Sequence, residues 1–314
     1  MIELKIVLPL QSIREDQLDK IHKVFSGFVL KWKFEDFGLC VFQTEIQERK
    51  ANAVDVELGL KCYKVSFTCN MELETDDERR FFWPTSDIEN RYEWEEFEFY
   101  ELRKLYLALV LAIVLSHPEF SIGNAPIELF INEKLFSREL YMDYNIHNDA
   151  YDSFPNVYSA SITLQAAFDW LIEKTSQFDT NQKPINAISA LSYVLNRELR
   201  EILIYTSIGL ESIYVPENRN ERQRLKTRIK LLFPHLDIEA SINDMYTFRS
   251  KFVHGEISMG IWSLMEPNIS NDEAKLEKTA QFAAAILVES IRILISKNAT
   301  GIKFSEITEY ALEN

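Results

Sequence analysis

The chain has 314 residues, 46% apolar and 26% charged, the make-up of an ordinary folded protein with room for two cores. Its 34 cations and 49 anions leave a net charge of −15, which argues against a general nucleic-acid binder unless the cations gather locally. Eight glycines build no phosphate-cradling loop, which disfavours kinase and dehydrogenase chemistry, and Cys40, Cys62 and Cys69 form no Cys-x-x-Cys pair, which disfavours a metal site or disulfide framework and fits a reducing cytoplasm.

Taken in order, residues 1–8 alternate apolar and polar and predict a strand. Ser12 and Glu15 read as a capping box for a helix over about 13–25. Residues 29–34 and 39–46 are strand-like, joined by a turn, and 54–58 and 62–73 are further strand candidates. The opening is therefore α+β with a mostly antiparallel sheet. Residues 72–101 carry twelve carboxylates against three arginines, a net of −9, with eight aromatics interleaved. This stretch is either a solvated loop running into an amphipathic helix, or a partner surface, or a nucleic-acid mimic that shields a basic groove until it is displaced. A helix over 95–116 follows, ending near Pro118, and 127–131 is a short strand. Its apolar run, Leu105 to Ser116, is too short to span a bilayer, and no secretory leader is visible, so no membrane is expected. The histidines His22, His117, His147 and His235 show no ligand spacing, and neither metal nor other cofactor is expected.

Turn formers over 143–156 place a boundary between a 1–150 α+β domain of sensing or regulatory type and a 151–314 helical domain. Helices are predicted over 157–178, 185–215, 238–255 and 272–297, with Ser305 to Leu312 a short helix or tail. Gly209 inside the second marks a close helix crossing. Residues 219–230 hold six cations and one anion, a net of +5, so Arg219, Arg222, Arg224, Lys226 and Lys230 are the candidate phosphate contacts, with Arg228 phosphate-facing or paired internally, for example to Glu211.

Two Arg-x(4–6)-His pairs occur, Arg228/His235 and Arg249/His254. Pro234 stands between the members of the first, so they do not share a helix. The second lies in an unbroken pattern in which Ile242, Met245, Tyr246, Phe252 and Val253 fall within about 60° of Arg249 on the helical wheel. A guanidinium in an apolar stripe needs an acceptor: a substrate phosphate, or an internal carboxylate such as Glu211 or Asp244. Gly255 reads as the helix stop, and it leaves His254 in the last turn beside the negative end of the dipole, a place that suits an imidazolium acting as general acid or a plain C-terminal cap. On one straight helix the two groups diverge by about 140°, so a second helix or subunit must complete any shared site.

Tyr246-Thr-Phe-Arg-Ser-Lys-Phe-Val-His-Gly255 resembles the Arg-x(4–6)-His signature of HEPN domains, and its His-Gly ending is similar to the ApeA-like branch. Gly209-Leu-Glu211-Ser-Ile-Tyr is similar to that branch's Leu-Glu helix, and Leu225-Lys-Thr-Arg228-Ile-Lys-Leu-Leu to the helix after it; the likeness spans about 157–297. Ser250 departs from the Asn, Asp or His common after the motif arginine in active members. The resemblance implies a helical bundle and a metal-independent endoribonuclease, toxin-like or devoted to phage defence, with two motifs facing each other in a homodimer formed through the C-terminal helices. RNA is the implied substrate, Arg249 and His254 the catalytic pair, and Ser250, Asp244 and Glu211 auxiliary groups; an antitoxin or regulatory partner is the further expectation. The alternative is a non-catalytic HEPN-like module for dimerisation or partner binding.

Overall fold

The structure, a computed structural model, describes residues 2–13, 18–34, 38–49, 61–71, 103–122, 125–131, 134–140, 145–176, 183–195, 199–215, 221–256 and 271–304. A small antiparallel sheet comes first and a helical region follows, the α+β then all-α order expected from the change in periodicity. Two compact units are present, Met1–Tyr144 with Thr163–Asp169, and Asn145–Ile162 with Trp170–Asn314. The expected strand at 54–58, the acidic stretch 72–101 and the C-terminal tail lie outside the described residues.

In the first unit β1 (Ile2–Ile13) pairs antiparallel with β5 (Lys61–Met71). Adding β4 (Gln43–Arg49) and β6 (Ser121–Ile122) gives the order β4-β5-β1-β6. Alternation sets the register: Ile6 faces Phe67, Leu8 faces Val65 and Leu10 faces Tyr63, all buried. Helix α1 (Leu18–Ser26) lies on this layer through Ile21 and Phe25, whose ring is 6.4 Å from that of Phe67. Ser12 belongs to β1, not to a helix cap. Ile13 still pairs with Lys61, so ladder hydrogen bonds outweigh the local capping signal.

The expected strand at 39–46 is two strands. β2 (Lys31–Phe34) and β3 (Gly38–Val41) form their own hairpin, and the chain enters β4 after Phe42, which is buried and donates its N–H to the Leu30 carbonyl at 2.9 Å. Cys40 of β3 and Cys69 of β5 are buried as mutually hydrogen-bonded thiols. Burial pushes both up, Cys69 to about 12 with the neighbouring thiol adding to the effect. The folded protein is therefore expected to leave Cys40 and Cys69 unalkylated by iodoacetamide at neutral pH and to expose both in guanidinium, as peptide mass spectrometry would report; rapid native alkylation of either would contradict the burial.

Helix α2 (residues 103–116) buries Leu105, Tyr106 and the whole of 109–115, so the apolar run is a core helix. A further two-stranded ladder pairs β7 (Ala125–Ile131) with β8 (Lys134–Leu140), a strand with no clear alternation in the sequence.

The second unit is organised on α9 (Asn271–Ser296), where Ala280 and everything from Phe282 to Ile291 is buried. Its segment Ala274–Ser296 is long and apolar enough to cross a membrane, but 83% of its apolar window is buried in the fold, so that surface is used as core. The pattern over 185–215 is not one helix but α5 (Lys183–Val194) and α6 (Leu199–Tyr214), packed against each other and on α9. A single helix of that length would leave half its apolar residues without a partner, whereas a helical hairpin buries both halves. Likewise the described part of the 157–178 pattern is α-helical only from Leu164, as α4 (Leu164–Ser176), whose residues up to Asp169 belong to the first unit. The stretch read as boundary turns contains α3 (Asn145–Ser153), held by Ile146, His147 and Ala150 against α9.

Gly209 of α6 sits at a close helix crossing. A Cβ there would stand 2.9 Å from both δ-carbons of Leu287 and 3.1 Å from the Ala190 Cβ. Helix propensity alone would make Gly209→Ala stabilising by about 1 kcal/mol. Overpacking against the fully buried Leu287 should reverse the sign, so we expect a loss of about 1–2 kcal/mol in urea unfolding. A more stable variant would mean that the crossing relaxes freely.

Candidate active site

The motif lies on α8 (Glu239–Val253). Ile242 and Met245 are buried as the wheel predicts, and Ile242 closes the first turn by donating its N–H to the Ile238 carbonyl. The stripe does not continue to the end, because Val253 is 67% exposed. The last turn projects from the core and carries its residues into solvent.

The terminus is fixed by backbone geometry. Gly255 has φ +72°, its N–H bonds the Phe252 carbonyl at 3.0 Å, and the Glu256 N–H bonds the Lys251 carbonyl at 2.8 Å. This is the 6→1 and 5→2 Schellman pattern, which needs a left-handed residue at the position after the cap. His254 is the C-cap, its backbone N–H on the Ser250 carbonyl at 2.9 Å and its side chain exposed. Ser250 is exposed as well.

Arg249 turns inward from the same turn. Its guanidinium bonds the Glu211 carboxylate of α6, and Tyr246 donates its hydroxyl to the same oxygen at 2.9 Å. The guanidinium carbon lies 5.9 Å from the Tyr246 ring centroid, within cation–π range. The arginine side chain keeps 28% exposure and Glu211 18%, so this ion pair sits at the protein surface with one side closed. Asp244, the other carboxylate within reach by sequence, takes Lys275 at 2.8 Å instead.

The basic helix forms as α7 (Glu221–Leu232), but several of its cations have internal tasks. Arg222 donates through Nε and Nη2 to the Asn243 side chain at 3.1 and 2.8 Å, Lys226 stands 3.5 Å from Glu239, and Lys230 bonds the Leu236 carbonyl. They stitch α7 to α8 and the link between them. Arg224 is half-buried, and Arg219 lies outside the described residues. Arg228 is buried: it donates to the Tyr214 carbonyl at 2.6 Å, capping α6, and lies 4.9 Å over the Phe304 ring. The helix ends before Pro234, so His235 is separate from it and bonds the Asn156 carbonyl at 3.0 Å.

Thus Glu211, Tyr246 and Arg249 meet, His254 stands at the end of the same helix, and Ser250, Asp244 and the α7 cations do not join that cluster through any described hydrogen bond. Tyr246 lay within the motif stretch, but no spacing rule marked its hydroxyl as a partner of Glu211. Among the described residues no group of three or more His, Cys, Asp or Glu side chains could hold a metal ion. No family model, curated protein or solved structure matches this chain.

Proposed function

We propose that the helical unit is a metal-independent endoribonuclease of HEPN type, a toxin-like or phage-defence factor of the cytoplasm, that cuts RNA at a site built by two copies of the chain. The observation that carries this reading is the meeting of two separated motif stretches, Leu210-Glu211 of α6 and the Arg249 turn of α8, at one half-open ion pair. A guanidinium oriented by a carboxylate and a ring is preorganised to receive a phosphate on its open side.

Cleavage requires a base for the 2′-hydroxyl proton, an acid for the leaving 5′-oxygen and a cation for the charge that grows on the phosphoryl oxygens. One Arg249 and one His254 cannot fill three roles. In the dimer, His254 takes the 2′-hydroxyl proton, the 2′-oxygen attacks phosphorus, and His254 of the partner subunit protonates the departing 5′-oxygen. The products are a 2′,3′-cyclic phosphate and a 5′-hydroxyl, and Arg249 carries the charge between. Ile208 (42% exposed), one turn from Glu211, and Val253, beside His254, supply apolar surface for the second copy to cover. The N-terminal unit acts as sensor or restraint, and an antitoxin or regulatory partner holds the enzyme in check.

The test is single-stranded RNA incubated with the full chain in EDTA. Cyclic-phosphate and 5′-hydroxyl ends, with a dimer mass in sedimentation equilibrium, are expected; intact RNA with a monomeric protein would end the proposal. The second reading, a non-catalytic HEPN-like dimerisation or partner-binding module, is favoured by one fact: Glu211 already neutralises Arg249. That module would bind RNA poorly and without salt dependence, whereas the nuclease should lose RNA affinity as salt rises.

A further inference from the structure

On the first unit, three aliphatic side chains stand open on one hairpin and the residues just before it: Val29 is 45%, Leu39 65% and Val41 53% exposed. Register explains why they gather. Lys31 lies opposite Val41 and Lys33 opposite Leu39, and residues directly across a ladder share a face. The residues between them turn the other way: Leu30, Cys40 and Phe42 are buried, and the half-buried Trp32 ring is 6.5 Å from Phe168. One face of β2–β3 is thus used by the core, and the other presents a basic strand beside an aliphatic one. Both lysines are exposed, and neither makes an ion pair among the described residues. The hairpin is a two-stranded sheet, so each strand has an outer edge with no described strand beside it.

We infer that this face docks an acidic polypeptide segment in extended form, whose apolar side chains cover Val29, Leu39 and Val41 while its carboxylates meet Lys31 and Lys33. Exposed aliphatic surface gathered on one face marks interaction sites, and an extended segment can also use an open strand edge. The charge pattern selects the partner: in a chain of net −15, two uncompensated cations among aliphatic groups match an anion-bearing strand. An anionic membrane fits less well, because it offers no backbone that could pair with the open strand edges.

The test uses the full chain and a fluorescein-labelled synthetic peptide in which Glu alternates with Val and Phe, read by anisotropy. Saturable binding is expected, weakened roughly tenfold by Lys31→Gln/Lys33→Gln and, separately, by Leu39→Ser/Val41→Ser. These exposed substitutions should leave thermal melting unchanged. The same peptide with Lys in place of Glu should not bind. Equal binding by the wild type and both double variants, equal binding of the Lys peptide, or binding to phosphatidylserine vesicles in place of the Glu peptide would each overturn the proposal.

Discussion

Glu289→Ala is expected to cost the helical unit about 3–5 kcal/mol of stability, the largest loss of any single substitution considered for this chain. Glu289 lies fully buried on α9, and both of its oxygens accept hydrogen bonds. Its Oε1 receives the Ser159 N–H at 2.8 Å, the Ser159 hydroxyl at 2.9 Å and the Ala160 N–H at 2.7 Å, while Oε2 receives Arg292 Nε at 2.8 Å. Arg292, itself buried, also donates to the Ala160 carbonyl and lies 5.8 Å from the Tyr158 ring centroid. Removing the carboxylate would leave two buried backbone donors without their acceptor and take from the buried Arg292 the carboxylate it is bonded to. Glu289→Gln should lose less, because its amide oxygen can still accept the Ser159 and Ala160 N–H groups. The double variant Glu289→Met/Arg292→Met should lose less than the sum of the single changes, since it removes both charges at once. Guanidinium unfolding followed by far-ultraviolet circular dichroism measures all three. A loss under about 1 kcal/mol for Glu289→Ala would mean that water reaches the site and that the 158–160 segment is not held by it.

On the proposed endoribonuclease reading, the largest effect on activity is expected at the motif. His254→Ala should lower RNA cleavage by about 10²–10⁴-fold, the range for losing a positioned acid or base. Because the side chain is exposed at a helix terminus, its stability cost should stay within about 0.5 kcal/mol. Arg249→Ala should lower cleavage by about 10²–10³-fold through lost charge stabilisation. It should also cost some stability, because Glu211 would keep Tyr246 but lose its cation. Arg249→Lys should recover little activity, since an ammonium cannot reproduce the planar fork. Single-turnover cleavage set beside thermal melting separates the two effects. Full activity in folded His254→Ala would remove this residue, and with it the composite acid–base site, from the mechanism.

Much of this architecture was legible in local pattern. The spacing of apolar residues located α8 and α9 to within a few residues, Pro234 separated Arg228 from His235, and Gly255 marked the end of α8. An arginine among Ile242, Met245 and Tyr246 had to find an anion, and Glu211 was one of two internal carboxylates named for it. Local pattern failed where partners were distant. Asn145–Ser153 is rich in Asn and Asp and reads as turns, yet it is helical because Ile146, His147 and Ala150 bury against α9. Phe42 sits inside an alternating run, yet the strand breaks there because its side chain and N–H are claimed by the core and by Leu30.

By itself the sequence determined that α8 and α9 are helices, where α8 stops, and that Arg249 carries a charge needing an acceptor, because these follow from neighbours within a turn or two of helix. Only the tertiary structure decided that the acceptor is Glu211, 38 residues away, while Asp244 takes Lys275, and that Arg222, Lys226 and Lys230 reach α8 and its preceding link. The reason is that an ion pair depends on where two helices meet, and the meeting of α6 with α8 is a tertiary contact that no local period encodes.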